Sequence, residues 1–158
     1  MARHYTRNHE SWLARAARDL NSARKLLLDD NLTLDDAAYH AQQCAEKALK
    51  AYLLCNNIQF QKTHDLEILL EQCVTKNQFF RQLERTVIVL NPYAVYTRYP
   101  DDQYTIDREN VIDGPVAQAA GLFCVPMRLV IGVNSYERPC NQCEKDAPVF
   151  LKSKQHQA

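Results

Sequence analysis

The side chains best suited to chemistry in this chain gather on one short stretch, Tyr39-His40-Ala41-Gln42-Gln43-Cys44-Ala45-Glu46-Lys47-Ala48-Leu49-Lys50-Ala51-Tyr52-Leu53. At about 100° per residue, Tyr39, Gln42, Gln43, Glu46 and Lys50 fall on one side of a helix, with His40 and Lys47 at its edge. Glutamine amides can hydrogen-bond a base or a ribose, and the two lysines can meet phosphate charge. The same face has a plainer reading. Glu46 and Lys50 make a favourably oriented i,i+4 pair, and glutamines are ordinary on a wet helix.

Two further groups have suitable residue types. His64 follows Thr63, which the sequence suggests as the N-cap of a third helix. An imidazole there can serve acid/base chemistry or touch phosphate, because its ordinary pKa lies near neutrality. The free N–H groups of such a helix start can also hold an anion. Alternatively, His64 only fastens the helix start while Asp65 serves the helix dipole. Arg98, flanked by Tyr96 and Tyr99, suits a phosphate clamp with base stacking, or a proline-fixed loop in which Arg98 pairs with Asp101 or Asp102. Cys140-Asn141-Gln142-Cys143 has zinc or redox spacing, but no second pair lies near enough to complete four ligands. No metal site is assigned. Three isolated glycines cannot build a phosphate-cradling loop, and no serine or cysteine nucleophile stands out.

These groups must be carried by helices. Trp12, Leu13, Ala16, Ala17, Leu20, Ala23, Leu27 and Leu28 repeat at helical spacing over about 9–29. Acids at Asp35 and Asp36 suit the start of a second helix, which Asn56-Asn57 stops after Cys55. Its inward side is Ala37, Ala41, Cys44, Ala45, Ala48, Leu49 and Tyr52, and the small alanines let a neighbour approach closely. Leu66, Leu69, Leu70, Cys73 and Val74 stripe the third helix. A fourth is expected over 76–90, a Tyr/Arg/Asp-rich loop over 91–106, and a final apolar helix over 107–133 interrupted by Gly114-Pro115, Gly121 and Pro126. Residues 134–158 read as a loose tail.

The totals fit that plan. One domain of 158 residues with 46% apolar and 24% charged residues has the balance of an ordinary globular protein. Nineteen basic residues against nineteen acidic ones do not favour a broad electrostatic footprint for nucleic acid, though a local basic patch is allowed. The six cysteines are scattered, unlike a disulfide framework. Residues 116–133 approach span length, but Gln118, Pro126 and Arg128 favour a buried core helix over a membrane span. With no apolar signal core in Met1–Tyr5, the expected location is the cytoplasm.

Four pieces, in this order and at these separations, resemble the HEPN domain (higher eukaryotes and prokaryotes nucleotide-binding) family. They are Trp12 with Ala17-Arg18-Asp19-Leu20, the Tyr39–Leu53 stretch, Lys62-Thr63-His64-Asp65-Leu66, and Tyr96-Thr97-Arg98-Tyr99-Pro100-Asp101. The resemblance implies an all-α, up-and-down bundle of four to five helices over 8–133, commonly a homodimer. Such domains are often encoded beside a minimal nucleotidyltransferase as half of a toxin–antitoxin-like pair. Many members are RNA-cleaving toxins that use an Arg-(four to six residues)-His motif near the start of a late helix. Here no histidine follows Arg81, Arg85, Arg98 or Arg108 until His156, and Arg3 with His9 lies at the wrong end of the chain.

The expectation is therefore a nucleotide- or RNA-associated regulatory module rather than an enzyme, needing no cofactor. Its binding residues would be Gln42, Gln43, Glu46, Lys47, Lys50, His64, Arg98 and Tyr99. The alternatives are a metal-independent ribonuclease toxin using His64 or His40 with Arg98, and a pure protein-interaction module.

Overall fold

A computed structural model of the chain describes residues 9–28, 34–96 and 119, with only the backbone of Tyr96. The expected final helix over 107–133 and tail over 134–158 lie outside the described residues, Ala119 apart. What is described is all-α, with no strand among these residues: α1 (His9–Leu26), α2 (Leu34–Cys55), α3 (Leu66–Lys76), a 3-10 segment (Gln78–Leu83), α4 (Glu84–Leu90) and the single turn α5 (Tyr93–Tyr96).

α1 and α2 form the main packing pair, and α2 also touches α3, α4 and α5. Leu13, Ala16, Leu20 and Ala23 of α1 are buried at the spacing the sequence shows. The inward residues expected of α2 are all buried, Ala37 through Tyr52. Alanine at so many of these positions keeps the helix axes close, so dispersion contacts form along their length. α2 ends as its asparagines require. Asn57 takes φ 57°, a left-handed value that asparagine tolerates. Ile58 N–H then reaches Leu53 O at 2.9 Å and Asn57 N–H reaches Leu54 O at 3.0 Å, the bonding pattern of a Schellman C-terminus.

α3 begins differently from the expectation. Asp65, not Thr63, is the N-cap, its carboxylate accepting from the N–H of Glu67 and Ile68. Thr63 Oγ1 instead accepts from Asp65 N–H at 3.0 Å, fixing the turn that presents the cap. A carboxylate placed directly before the first turn outcompetes a hydroxyl two residues further away. The amide of Asn91 completes the arrangement, with Oδ1 accepting from Leu66 N–H at 2.9 Å and Nδ2 donating to Asp65 at 3.2 Å.

The single helix expected over 76–90 is two segments. Asn77 is extended at φ −147° and ψ 112°, ends α3, and caps the 3-10 segment by accepting from Phe79 N–H. Phe80 and Leu83 are buried three residues apart, the period of a 3-10 helix. Val87 and Leu90 continue at α spacing, so the β-branched stretch stays helical. Phe80 packs beside Tyr52 with ring centroids 4.5 Å apart, joining this region to α2. Ala119 is also fully buried in the common core.

Asn91 is thus a long-range clamp on the start of α3. Asn91→Ala removes the acceptor for Leu66 N–H, and we expect a loss of about 1–2 kcal/mol in denaturant unfolding.

Candidate functional site

The polar side of α2 does not face water. Gln42, Glu46 and Lys50 are buried, contrary to the expected wet face. The cause is the α2–α3 connection, which crosses this strip and satisfies it with backbone carbonyls. Lys50 Nζ donates to Thr63 O at 2.8 Å, and Gln42 Nε2 donates to His64 O at 3.2 Å. Trp12 of α1 and Phe60 of the connection meet edge to face at 6.1 Å and complete the cover. The Lys50 ammonium lies 5.9 Å from the Trp12 ring and 5.5 Å from that of Phe60, where ring faces attract a cation.

Glu46 is the centre of this arrangement. Oε1 accepts from Lys50 Nζ at 2.7 Å, and His64 Nδ1 lies 3.2 and 3.1 Å from Oε1 and Oε2. Gln43 Nε2 donates to Oε2 at 3.3 Å, and Gln42 Nε2 approaches it at 3.4 Å. Burial pushes the Glu46 carboxyl up, but Lys50 and then His64 outweigh it, and its pKa lies below the ordinary carboxylate value of 4.5. The carboxylate is therefore ionised at neutral pH.

The network continues to α1. Lys47 Nζ donates to Gln43 Oε1 at 3.2 Å and is ion-paired with Asp19. The other oxygen of Asp19 meets His40 Nδ1 at 3.0 Å. A single chain of polar contacts thus runs from His40 through Asp19, Lys47, Gln43 and Glu46 to His64. Asp19 is a member of it that the sequence did not single out as a site residue, whereas His40 is a candidate imidazole there. The signal available was Asp19 as an acid following Arg15 and Arg18 on helix one, but its pairing with α2 is set by packing.

Of the expected binding residues, Gln42, Gln43, Glu46, Lys47, Lys50 and His64 come together, but they do so mainly by binding one another. The side chain of His64 is 64% exposed while those of Glu46 and Lys50 are only 5% and 7% exposed. His64 and, at the edge, Lys47 and His40 are what this cluster turns outward. Arg98 and Tyr99 lie outside the described residues, as does Cys140 with Cys143. The N–H groups at the start of α3, expected as an anion seat, are already taken by Asp65 and Asn91. Burial pushes the Cys73 thiol up to about 12, so it is no nucleophile at neutral pH. Among the described residues no group of three or more His, Cys, Asp or Glu side chains could hold a metal. No helix described is long and apolar enough to cross a membrane.

The geometry supports one clear chemical capacity: an imidazole oriented by a buried, ionised carboxylate. Comparison with known proteins agrees with the helical architecture. A family model described as the HEPN domain matches residues 9–114. A protein of Methanocaldococcus jannaschii named "Putative toxin MJ1304" is 43% identical over 51 residues, covering 32% of this chain and 32% of that protein. The chain thus spans about a third of the length of that curated relative. No solved structure gives a significant match.

Lys50→Met or Glu46→Gln leaves the other partner buried without its counter-charge, and each should cost about 3–5 kcal/mol in denaturant unfolding. The double variant should recover most of that loss, since the uncompensated charge is gone. The pair also fixes an acid dependence. Folding lowers the Glu46 pKa, so its contribution is complete above about 4.5 and is lost as pH falls through the folded value. The stability gap between the native chain and Glu46→Gln should therefore narrow in acid, as followed by circular dichroism.

Proposed function

The chain belongs to the HEPN domain family, and from that membership we propose that it is a toxin-like regulatory module that binds a nucleotide or RNA end through phosphate. It works in the cytoplasm with a minimal nucleotidyltransferase partner. The observation that carries this reading is the sorting of the polar cluster into a buried half and an outward half. Gln42, Gln43, Glu46 and Lys50 hold the geometry, His64 is the imidazole turned to solvent, and Lys47, ion-paired with Asp19, is the cation at the edge that a phosphate would compete for. The stretch shared with a toxin-named protein favours the toxin side of a toxin–antitoxin-like pair. Arg98 and Tyr99 are assigned to the same site as phosphate clamp and stacking ring. Self-association as a homodimer belongs to this reading, and exposed Phe79, Ile88 and Val89 supply apolar surface for it.

A second reading, metal-independent RNA cleavage, is favoured by the Glu46–His64 contact alone, because an oriented imidazole can move a proton. The family's Arg–His motif is missing from its usual place, which weighs toward binding.

Calorimetric titration with ATP tests the first reading. Binding is expected, with Lys47→Ala and His64→Ala each weakening it by roughly tenfold, the scale of one charge-assisted hydrogen bond. Absence of heat with ATP and with a short 5′-phosphorylated RNA would sink it. RNA cleavage that disappears in His64→Ala would instead establish the second.

A further inference from the structure

The Glu46–His64 contact leaves one reactive atom at the surface. A carboxylate oxygen only accepts, so the contacts from Nδ1 to both Glu46 oxygens place the ring proton on Nδ1. The lone pair of the neutral ring then belongs to Nε2, on the opposite side of an imidazole that is largely in solvent. Asp65 and Glu67, the acids nearest in sequence, are drawn toward the start of α3. Asp65 Oδ1 accepts from the N–H groups of Glu67 and Ile68 and from Asn91 Nδ2, and Glu67 Oε1 also accepts from Asn91 Nδ2 at 3.3 Å. His40 has a similar anchor in Asp19, but its side chain is only 33% exposed and it shares that carboxylate with Lys47.

We propose that His64 is a covalent acceptor site for a phosphoryl group, carried on Nε2. The Nε2 lone pair attacks the phosphorus of a phosphoramidate donor, the new N–P bond forms, and the donor's own P–N bond breaks, its electron pair leaving with the nitrogen as ammonia. Nδ1 keeps its proton, so the ring becomes cationic as the N–P bond forms. Glu46, buried and ionised against that proton, stabilises the developing charge. Lys50 remains hydrogen-bonded to Oε1 of the carboxylate and keeps it ionised. The property is that of the imidazole and its carboxylate. It does not depend on nucleotide binding, so the two can fail separately.

Phosphoramidate tests it, since this donor carries neither base nor ribose and loses ammonia on transfer. The full chain is incubated with it and followed by phosphorus NMR, intact mass and peptide mapping. The expected result is one acid-labile, base-stable phosphoryl group per chain on His64 Nε2, formed on the order of tenfold faster than on His4, His9, His40 or His156. His64→Asn should lose this fast phase, and folded Glu46→Gln should slow it on the order of tenfold. Labelling spread evenly over the histidines would overturn the proposal, as would no N–P linkage or an undiminished rate in folded Glu46→Gln. The comparison among histidines within the native chain decides the matter even if Glu46→Gln does not fold.

Discussion

A carboxylate buried between helices must be matched on every side or it will not stay ionised, and Glu46 sets that condition for this bundle. Removing the ion from water is costly, and one ammonium rarely repays it. Here the carboxylate has an ammonium, an imidazole and two side-chain amides around it. The ammonium in turn has a backbone carbonyl and two aromatic rings. The partners come from three parts of the chain: α1 supplies Trp12, α2 the lysine and glutamines, and the α2–α3 connection Phe60, Thr63 and His64. Satisfying one charge therefore fixes where three segments meet.

That constraint explains why the connection lies where it does. Its backbone carbonyls at Thr63 and His64 are spent on Lys50 and Gln42, and its exit is set by Asn57, whose left-handed turn closes α2. Its far end is set by Asp65 and Asn91, which hold the first turn of α3. His64 sits between two fixed points, so its ring is aimed by the backbone as well as by Glu46. Gln43 and Lys47 extend the same order to Asp19, so α1 is tied in by charge as well as by its alanine-lined packing.

Much of this was legible in the sequence. Helical spacing gave the buried faces of α1, α2 and α3, because apolar burial follows a period that the chain displays directly. The asparagine stop after α2 was equally plain. The cluster Gln42, Glu46, Lys50 was visible as a group, yet its direction was not. Periodicity separates polar from apolar faces but does not say that a later loop will cover the polar one. The α3 cap was misplaced by two residues, since Thr63 and Asp65 are both good caps and only the turn geometry chooses. The break at Asn77 and the reach of Asn91 back to Leu66 are tertiary facts. No local pattern in 76–91 contains them.

Family membership supplies the general character of the protein, while the Glu46 network supplies what is particular to its geometry. Its imidazole is placed by a separate device. The most direct measurement of that device is the tautomer of His64, read from the nitrogen chemical shifts of its ring at a pH where the ring is neutral. An unconstrained histidine favours the proton on Nε2. The structure predicts it on Nδ1 in the native chain, with Nε2 showing the shift of a bare ring nitrogen. A proton found on Nε2, or two nitrogens with averaged shifts, would contradict a His64 held by Glu46.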